Sequence, residues 1–237
     1  AVPLAAAAYR VRLTDATSLA ATFTAETGIR RYSSLAWYDA PSPMPDYYRW
    51  MTGYQTDPVT RLELENIWRA NYVRYTQIDW DEFYRQNRNS KDGSATYLME
   101  DRVERIANIQ LLAEGVTRIN ERLTVRYGIR AARMDSRFYK QMRDLMGRNY
   151  FVDRDYYLID DGVYGNKLQN DLRHPDRIIR EGDRFGYDYD LRRNEIGAGG
   201  SLQYRADRLR AFIAAEVGTS SVFRRGHYEK ELFAGNK

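Results

Sequence analysis

The amino-acid sequence predicts a mainly α-helical protein, an elongated, solenoid-like array of several helices joined by aromatic-rich extended arms. Three observations carry that expectation. Residues 95–146 hold no proline and only Gly115 and Gly128 as glycines, and their apolar residues (Val103, Ile106, Ile109, Leu112, Val116, Ile119, Leu123) recur at helical spacing. Asp57-Pro58 places a capping carboxylate before a proline at the first helical position, and Asp79 offers a second cap ahead of Trp80, Phe83 and Tyr84. Pro41, Pro43 and Pro45, set among Trp37, Tyr38, Tyr47 and Tyr48, forbid a continuous helix and favour an extended arm.

In chain order the pattern divides into four segments. Residues 1–56 begin with a small, apolar, fraying end. A helix capped at Leu13-Thr14-Asp15 then carries Leu19 and Phe23 to Gly28, and the proline–aromatic arm follows. Residues 57–148 form a central helical domain: a helix from Pro58 through Leu62, Ile67, Trp68 and Tyr72, a second stopping at residues 89–93, and the long pair divided at Gly128. Residues 149–200 lose their periodicity and form an irregular segment rich in Tyr, Arg and Asp, which its rings pin in place; Gly197, Gly199 and Gly200 read as a hinge. Residues 201–237 return to helix through Leu209, Phe212 and Ile213. Residues 21–28 (ATFTAETG) resemble residues 211–218 (AFIAAEVG) and, more loosely, residues 109–115 (IQLLAEG). That is either a chance likeness between helix ends or a duplication giving two helical lobes.

Composition sets the chemistry. Of 37 basic residues only five are lysine, leaving 32 arginines against 33 acidic residues for a formal charge of +4. Tyrosine outnumbers phenylalanine 20 to 8. Arginine forks and tyrosine rings dominate binding hot spots, so a surface rich in both suits a protein held against acidic or aromatic partners. Arg30, Arg31, Trp37, Tyr38, Tyr47, Tyr48 and Arg49 in the first arm are the expected partner-binding residues, with Arg154, Tyr156, Tyr157 and Tyr164 in the second.

No motif assigns catalysis. Cysteine is absent, which excludes disulfides, thiolate metal sites, cysteine nucleophiles and thioether-linked chromophores. His174 and His227 are too few for a histidine metal cluster and stand in no serine–histidine–acid order. Asp153, Asp155, Asp160 and Asp161 lack the spacing of a calcium loop and have Arg154, Arg173 and Arg177 beside them. The glycines near 197–200 follow no apolar strand and have no phosphate-loop lysine. Acidic residues interleave the arginines almost everywhere, so no basic stripe for nucleic acid stands out. No run of 18 apolar residues offers a transmembrane helix. The small-residue start without Met reads as a mature end after removal of a targeting peptide, or as trimming.

Three stretches, RRYSSLAWYDAPSPMPDYYRWMTGY (30–54), TYLMEDRVERIA (96–107) and RDLMGRNYFVDRDYY (143–157), give the chain a texture that resembles a phycobilisome rod linker, most similar to the red-algal gamma-subunit type. With no cysteine to carry a bilin, it would be a colourless member. The resemblance implies a non-enzymatic linker in a large hetero-oligomer on the stromal face of the chloroplast thylakoid. Such a linker holds acidic phycobiliprotein α/β hexamers and other linkers together and tunes bilins by non-covalent contact, with no covalent cofactor, metal or nucleic acid. The alternative is an accessory subunit of a large organellar membrane complex, photosynthetic or respiratory.

Overall fold

The computed structural model describes residues 2–90, 93–156, 169–230 and 234–235 and overturns the helical expectation: 55% of the chain is strand and 13% helix. One antiparallel sheet of six strands dominates. It comprises β1 (Leu4–Arg12), β2 (Thr17–Trp37), β3 (Tyr97–Arg118), β4 (Leu123–Asp144), β7 (Arg184–Arg205) and β8 (Arg210–Gly226), in the spatial order β1-β2-β3-β4-β7-β8. Neighbours in space are thus neighbours in sequence, apart from the small hairpin of β5 (Phe151–Val152) and β6 (Ile178–Ile179) inserted between β4 and β7. There is no solenoid of helices. The long pair expected over residues 95–146 is the β3–β4 hairpin, and the helices expected after Asp15 and Leu202 are strands β2, β7 and β8. The three similar segments at 21–28, 109–115 and 211–218 are pieces of β2, β3 and β8, and the glycines expected as a hinge lie inside β7.

Four of these strands are 21 or 22 residues long, far beyond the usual five or six. Their connections are sharply unequal. On one edge the turns are tight. Leu13 N–H donates to Thr17 O at 2.9 Å with Thr14 Oγ1 capping the turn, Asn120 Oδ1 accepts from Arg122 N–H, and Ala206 N–H donates to Leu209 O. On the other edge residues 38–96 and 145–183 form long excursions.

The helices that the sequence does announce are in the first excursion. Helix α1 (Pro58–Arg69) is capped by Asp57, whose Oδ2 accepts from Thr60 N–H at 2.8 Å, and α3 (Trp80–Arg88) by Asp79. Between them is the single turn α2 (Val73–Thr76). The excursion is stapled to the sheet by Asn87, fully buried. Its amide nitrogen donates to the carbonyls of Tyr97, Leu145 and Met146, while its oxygen accepts from Thr96 and Tyr97 N–H.

The core sits at this loop-bearing end, on both faces of the sheet. Phe83 of α3 stacks on Tyr97 with ring centres 4.9 Å apart, joined by Met146 and flanked by Leu35, Trp37 and Met99. On the opposite face the second excursion packs Phe151, Ile179 and Leu145 against Leu98, Met142, Phe185 and Tyr38. Nearer the tight turns the strands have no such cover among the described residues.

Candidate functional site

The uncovered part of the sheet is the feature that a function must explain. In an antiparallel sheet, residues paired across strands share a face and successive residues alternate. Following the register from β1 to β8 therefore sorts the side chains. One row reads Thr17, Thr117, Val125, Leu202, Ile213; the next on that face reads Val11, Leu19, Gly115, Tyr127, Gly200, Ala215. Then come Tyr9, Ala21, Ala113, Ile129, Ala198, Val217, and after them Ala7, Phe23, Leu111, Ala131, Ile196, Thr219. None of these residues is charged.

The interleaved rows face the other way and read Arg12, Ser18, Val116, Arg126, Ser201, Ala214; Arg10, Ala20, Glu114, Gly128, Gly199, Glu216; and Ala8, Thr22, Leu112, Arg130, Gly197, Gly218. The sheet thus has an apolar face and a polar face over the same span, with Leu112, Val116 and, at the turn end, Phe212 as the large apolar interruptions of the polar one. The apolar side chains lie bare: Ile129 is 56% exposed and Val217 75%.

With Leu123 and Tyr204 in the first row at the turn end and Leu111, Ala131 and Ile196 in the last uncharged row, the apolar band covers residues 123–131 of β4. At roughly 3.4 Å per residue and a tilt of about 40° its height is about 23 Å. Tyr127 lies flat over Gly115, where a Cβ would collide with its ring, so a glycine there lets the large ring lie on the sheet. Above the band the apolar face turns charged in one step. Asp135 accepts from Arg133 and Arg192 at 2.6 Å each, and Arg137 grips Asp188 through two bonds of 2.8 Å.

On the polar face, the loop-bearing end closes over a charged knot. Glu100 is fully buried and accepts from Lys140 Nζ at 2.9 Å, Tyr38 hydroxyl at 3.1 Å and Arg102 Nε at 3.2 Å. A register shift after Tyr139 and a left-handed Gly186 (φ +70°) aim Lys140 into this knot, beneath the rings of Tyr38, Phe185 and Tyr187. Beside it, Asp153 accepts from Arg177, Asn170 and the Gly186 N–H.

Most of the partner-binding residues expected from the sequence meet their own chain. Arg30 lies 3.5 Å from both Glu26 and Glu104, and Arg31 donates to Gln141 at 2.9 Å. Trp37 packs in the cluster around Phe83; Tyr38 is buried against Phe151 and Tyr156. Arg154 donates to Asp176 at 2.6 Å. Tyr47, Tyr48 and Arg49 are brought together at the first excursion's surface, with Arg49 Nε donating to Tyr48 hydroxyl at 3.0 Å. Tyr157 and Tyr164, like Asp160 and Asp161, lie outside the described residues. Among the described residues no group of three or more His, Asp or Glu is placed to hold a metal ion; Asp153 and Asp155 take Arg177 and Lys230 instead. The two faces of the sheet were missed by the helical reading, although the signal was printed in β4 as Leu123, Val125, Tyr127, Ile129, Ala131 alternating with Thr124, Arg126, Gly128, Arg130.

The second excursion is tied to the residues after β8 through Asp171, nearly fully buried. Burial alone would raise its pKa, but bonds from His174 Nδ1, Glu229 N–H and Arg173 outweigh that and hold the carboxyl below its usual range. A depressed carboxyl contributes stability that is present above about pH 4 and lost as pH falls through its folded value. Protection of the Leu172 and Glu229 amides from hydrogen exchange, relative to an unstructured chain at the same pH, is therefore expected to fall below about pH 4, and Asp171→Asn to remove that step.

No family model matches the chain, and comparison with characterised proteins and with solved structures finds no match. The fold and its surface define a class by themselves: an up-and-down antiparallel meander with long strands, short turns at one end, long excursions at the other, and one face that is apolar over the part of the strands nearer the short turns.

Proposed function

We propose that this sheet is part of the wall of a membrane-spanning β-barrel, its apolar face toward lipid and its polar face toward an aqueous lumen. The observation that carries the reading is the coincidence, in successive cross-strand rows, of an uncharged face with a polar one over about 23 Å, close to the apolar band of roughly 25 Å in barrels of that kind. Three features support it: up-and-down connectivity, unequal connections at the two ends, and the switch to paired charges at the top of the band. No described helix is long and apolar enough to cross a membrane, which leaves crossing by strands open.

The outer edges of β1 and β8 have no strand partner among the described residues. In hydrocarbon an open edge is untenable, so the reading requires further strands to meet both edges and complete the barrel. The protein's work is then that of a barrel, to pass or hold polar solute along the lumenal face, with the folded excursions shaping one mouth. The resemblance to a linker rests on arginine and tyrosine richness and on the stretches at 30–54, 96–107 and 143–157; the helical array that went with it is a strand meander instead.

The chain has no native cysteine, so single cysteines report cleanly. A polarity-sensitive dye on Ile129→Cys, Ala131→Cys, Arg130→Cys and Ala132→Cys, with the protein reconstituted in vesicles, is expected to be quenched by brominated lipid tails at 129 and 131 and spared at 130 and 132. Uniform quenching, or none, removes the membrane reading.

A further inference from the structure

The tight-turn end of the polar face gathers many more arginines than carboxylates among the described residues. Arg10 and Arg12 from β1, Arg118, Arg122 and Arg126 around the β3–β4 turn, and Arg205 and Arg210 around the β7–β8 turn line one concavity of about 880 Å³; Asp15 and Glu121 are its only carboxylates. Of these seven arginines only Arg12 has a carboxylate partner among the described residues, Asp15 at 3.2 Å, and both are highly exposed. The loop-bearing end of the same strands is built differently. There Arg133 and Arg192 share Asp135, and Arg137 and Arg184 share Asp188. The chain as a whole carries a formal +4, so its remaining charges are close to balanced.

Converging arginines without counter-charges repel one another, and the arrangement is favourable only with an anion among them. The register decides where that anion lies. Arg10, Arg12, Arg126 and Arg118 belong to the rows that face away from the apolar band, so the concavity opens to the polar side and not to lipid. Ser18, Thr124 and Gln203 line it with neutral hydrogen-bonding groups, and its volume is that of a small-molecule site. Guanidinium forks match the paired oxygens of phosphate and carboxylate groups.

We propose that this concavity binds a multiply charged small anion bearing phosphate or carboxylate groups, which gives the lumenal face an anion-selecting mouth at its short-turn end. The inference takes only the word lumenal from the barrel reading; the binding site stands on the register and the charges.

The test is calorimetric titration of the full chain, in zwitterionic micelles at fixed ionic strength, with pyrophosphate and separately with citrate. One saturable site is expected, and the tighter of the two anions identifies the preferred group. Arg10→Gln with Arg126→Gln, and independently Arg205→Gln with Arg210→Gln, are each expected to weaken it by about tenfold or more, since bonds to a charged group are lost. The control Arg133→Gln with Arg192→Gln, at the other end, is expected to leave it unchanged. Circular dichroism shows which variants keep the sheet, and the two arginine pairs lie on different strands, so one misfolded variant does not remove the other. Non-saturable binding, equal affinity in both pairs and the wild type, an equal loss in the control, or binding of a polyglutamate peptide alone would each overturn the proposal. The dye-quenching pattern at 129–132 is unaffected by any of these outcomes and judges the barrel reading separately.

Discussion

Ile129→Arg is expected to prevent stable insertion of the sheet into vesicles, at a cost of about 2–4 kcal/mol for a charge near the bilayer midplane. Ile129 occupies the middle of the apolar band, between Ala113 and Ala198, with no carboxylate in its row or in the rows on either side on that face. An arginine there has only lipid to face. Ala132→Arg, three residues along but on the polar face between Gln110 and Glu195, is expected to change insertion little, because its row already carries polar partners. The fraction folded into vesicles across a urea series, read by protection from protease, separates the two. Equal effects at 129 and 132 would mean that the faces are not distinguished by their surroundings, and the assignment of one of them to lipid would fail.

Lys140→Met is expected to loosen the loop-bearing end by about 3 kcal/mol, the lower part of the range for breaking a buried ion pair. Glu100 is fully buried, and loss of Lys140 leaves it with Arg102 as its one remaining cation and Tyr38 as a neutral donor. Coupling Lys140→Met with Glu100→Gln is expected to recover much of the loss, since the uncompensated charge is then gone. Hydrogen exchange at Leu98 and Met142, the core residues nearest the knot, measures both variants. A double variant no better than the single one would show that Lys140 acts by packing beneath its three rings and not by charge.

The helix caps were legible because they are local. Asp57, Pro58 and Thr60 are within four residues, and the bond that caps α1 needs nothing from elsewhere. The long strands were misread for an equally physical reason. In β3, Val103, Ile106, Ile109, Leu112 and Val116 satisfy a spacing of three and four, so the same residues fit a helical stripe, while Leu111 and Ala113, which mark the alternation, add to either pattern. Strand β4 alternates more cleanly, yet Tyr127 and Ala131 supply part of its apolar face, and these residues weigh little in a search for a hydrophobic stripe. Charged residues above the band further blur the pattern: Arg105, Arg137 and Asp190 stand on the same face as Ile129.

The candidate surface was less legible still. Arg30, Arg31 and Arg154 were singled out as free to bind, but carboxylates and amides from distant strands and loops meet them in the fold. The arginines of the concavity, Arg10, Arg118, Arg122, Arg126, Arg205 and Arg210, have no carboxylate partner among the described residues, although each lies within about five places of an acidic residue in sequence. In an extended strand, sequence neighbours point to opposite faces, so Glu121 or Glu114 a few places away says little about which charges meet.

By itself the sequence determined what short-range chemistry can decide: the capped helices α1 and α3, the absence of any thiol chemistry, the balance of charge, and the alternation that β4 carries residue by residue. Only the tertiary structure decided that the long segments are strands, that their alternate residues align near the short turns into one uncharged face and one polar face, and that Glu100 meets Lys140 while Arg126 meets no acid among the described residues. A helix closes its hydrogen bonds within four residues, whereas a strand leaves every one to a partner that may lie a hundred residues away, as Thr17 and Thr117 do. The register between strands, and hence the surface they share, is a property of the pairing and not of any one of them.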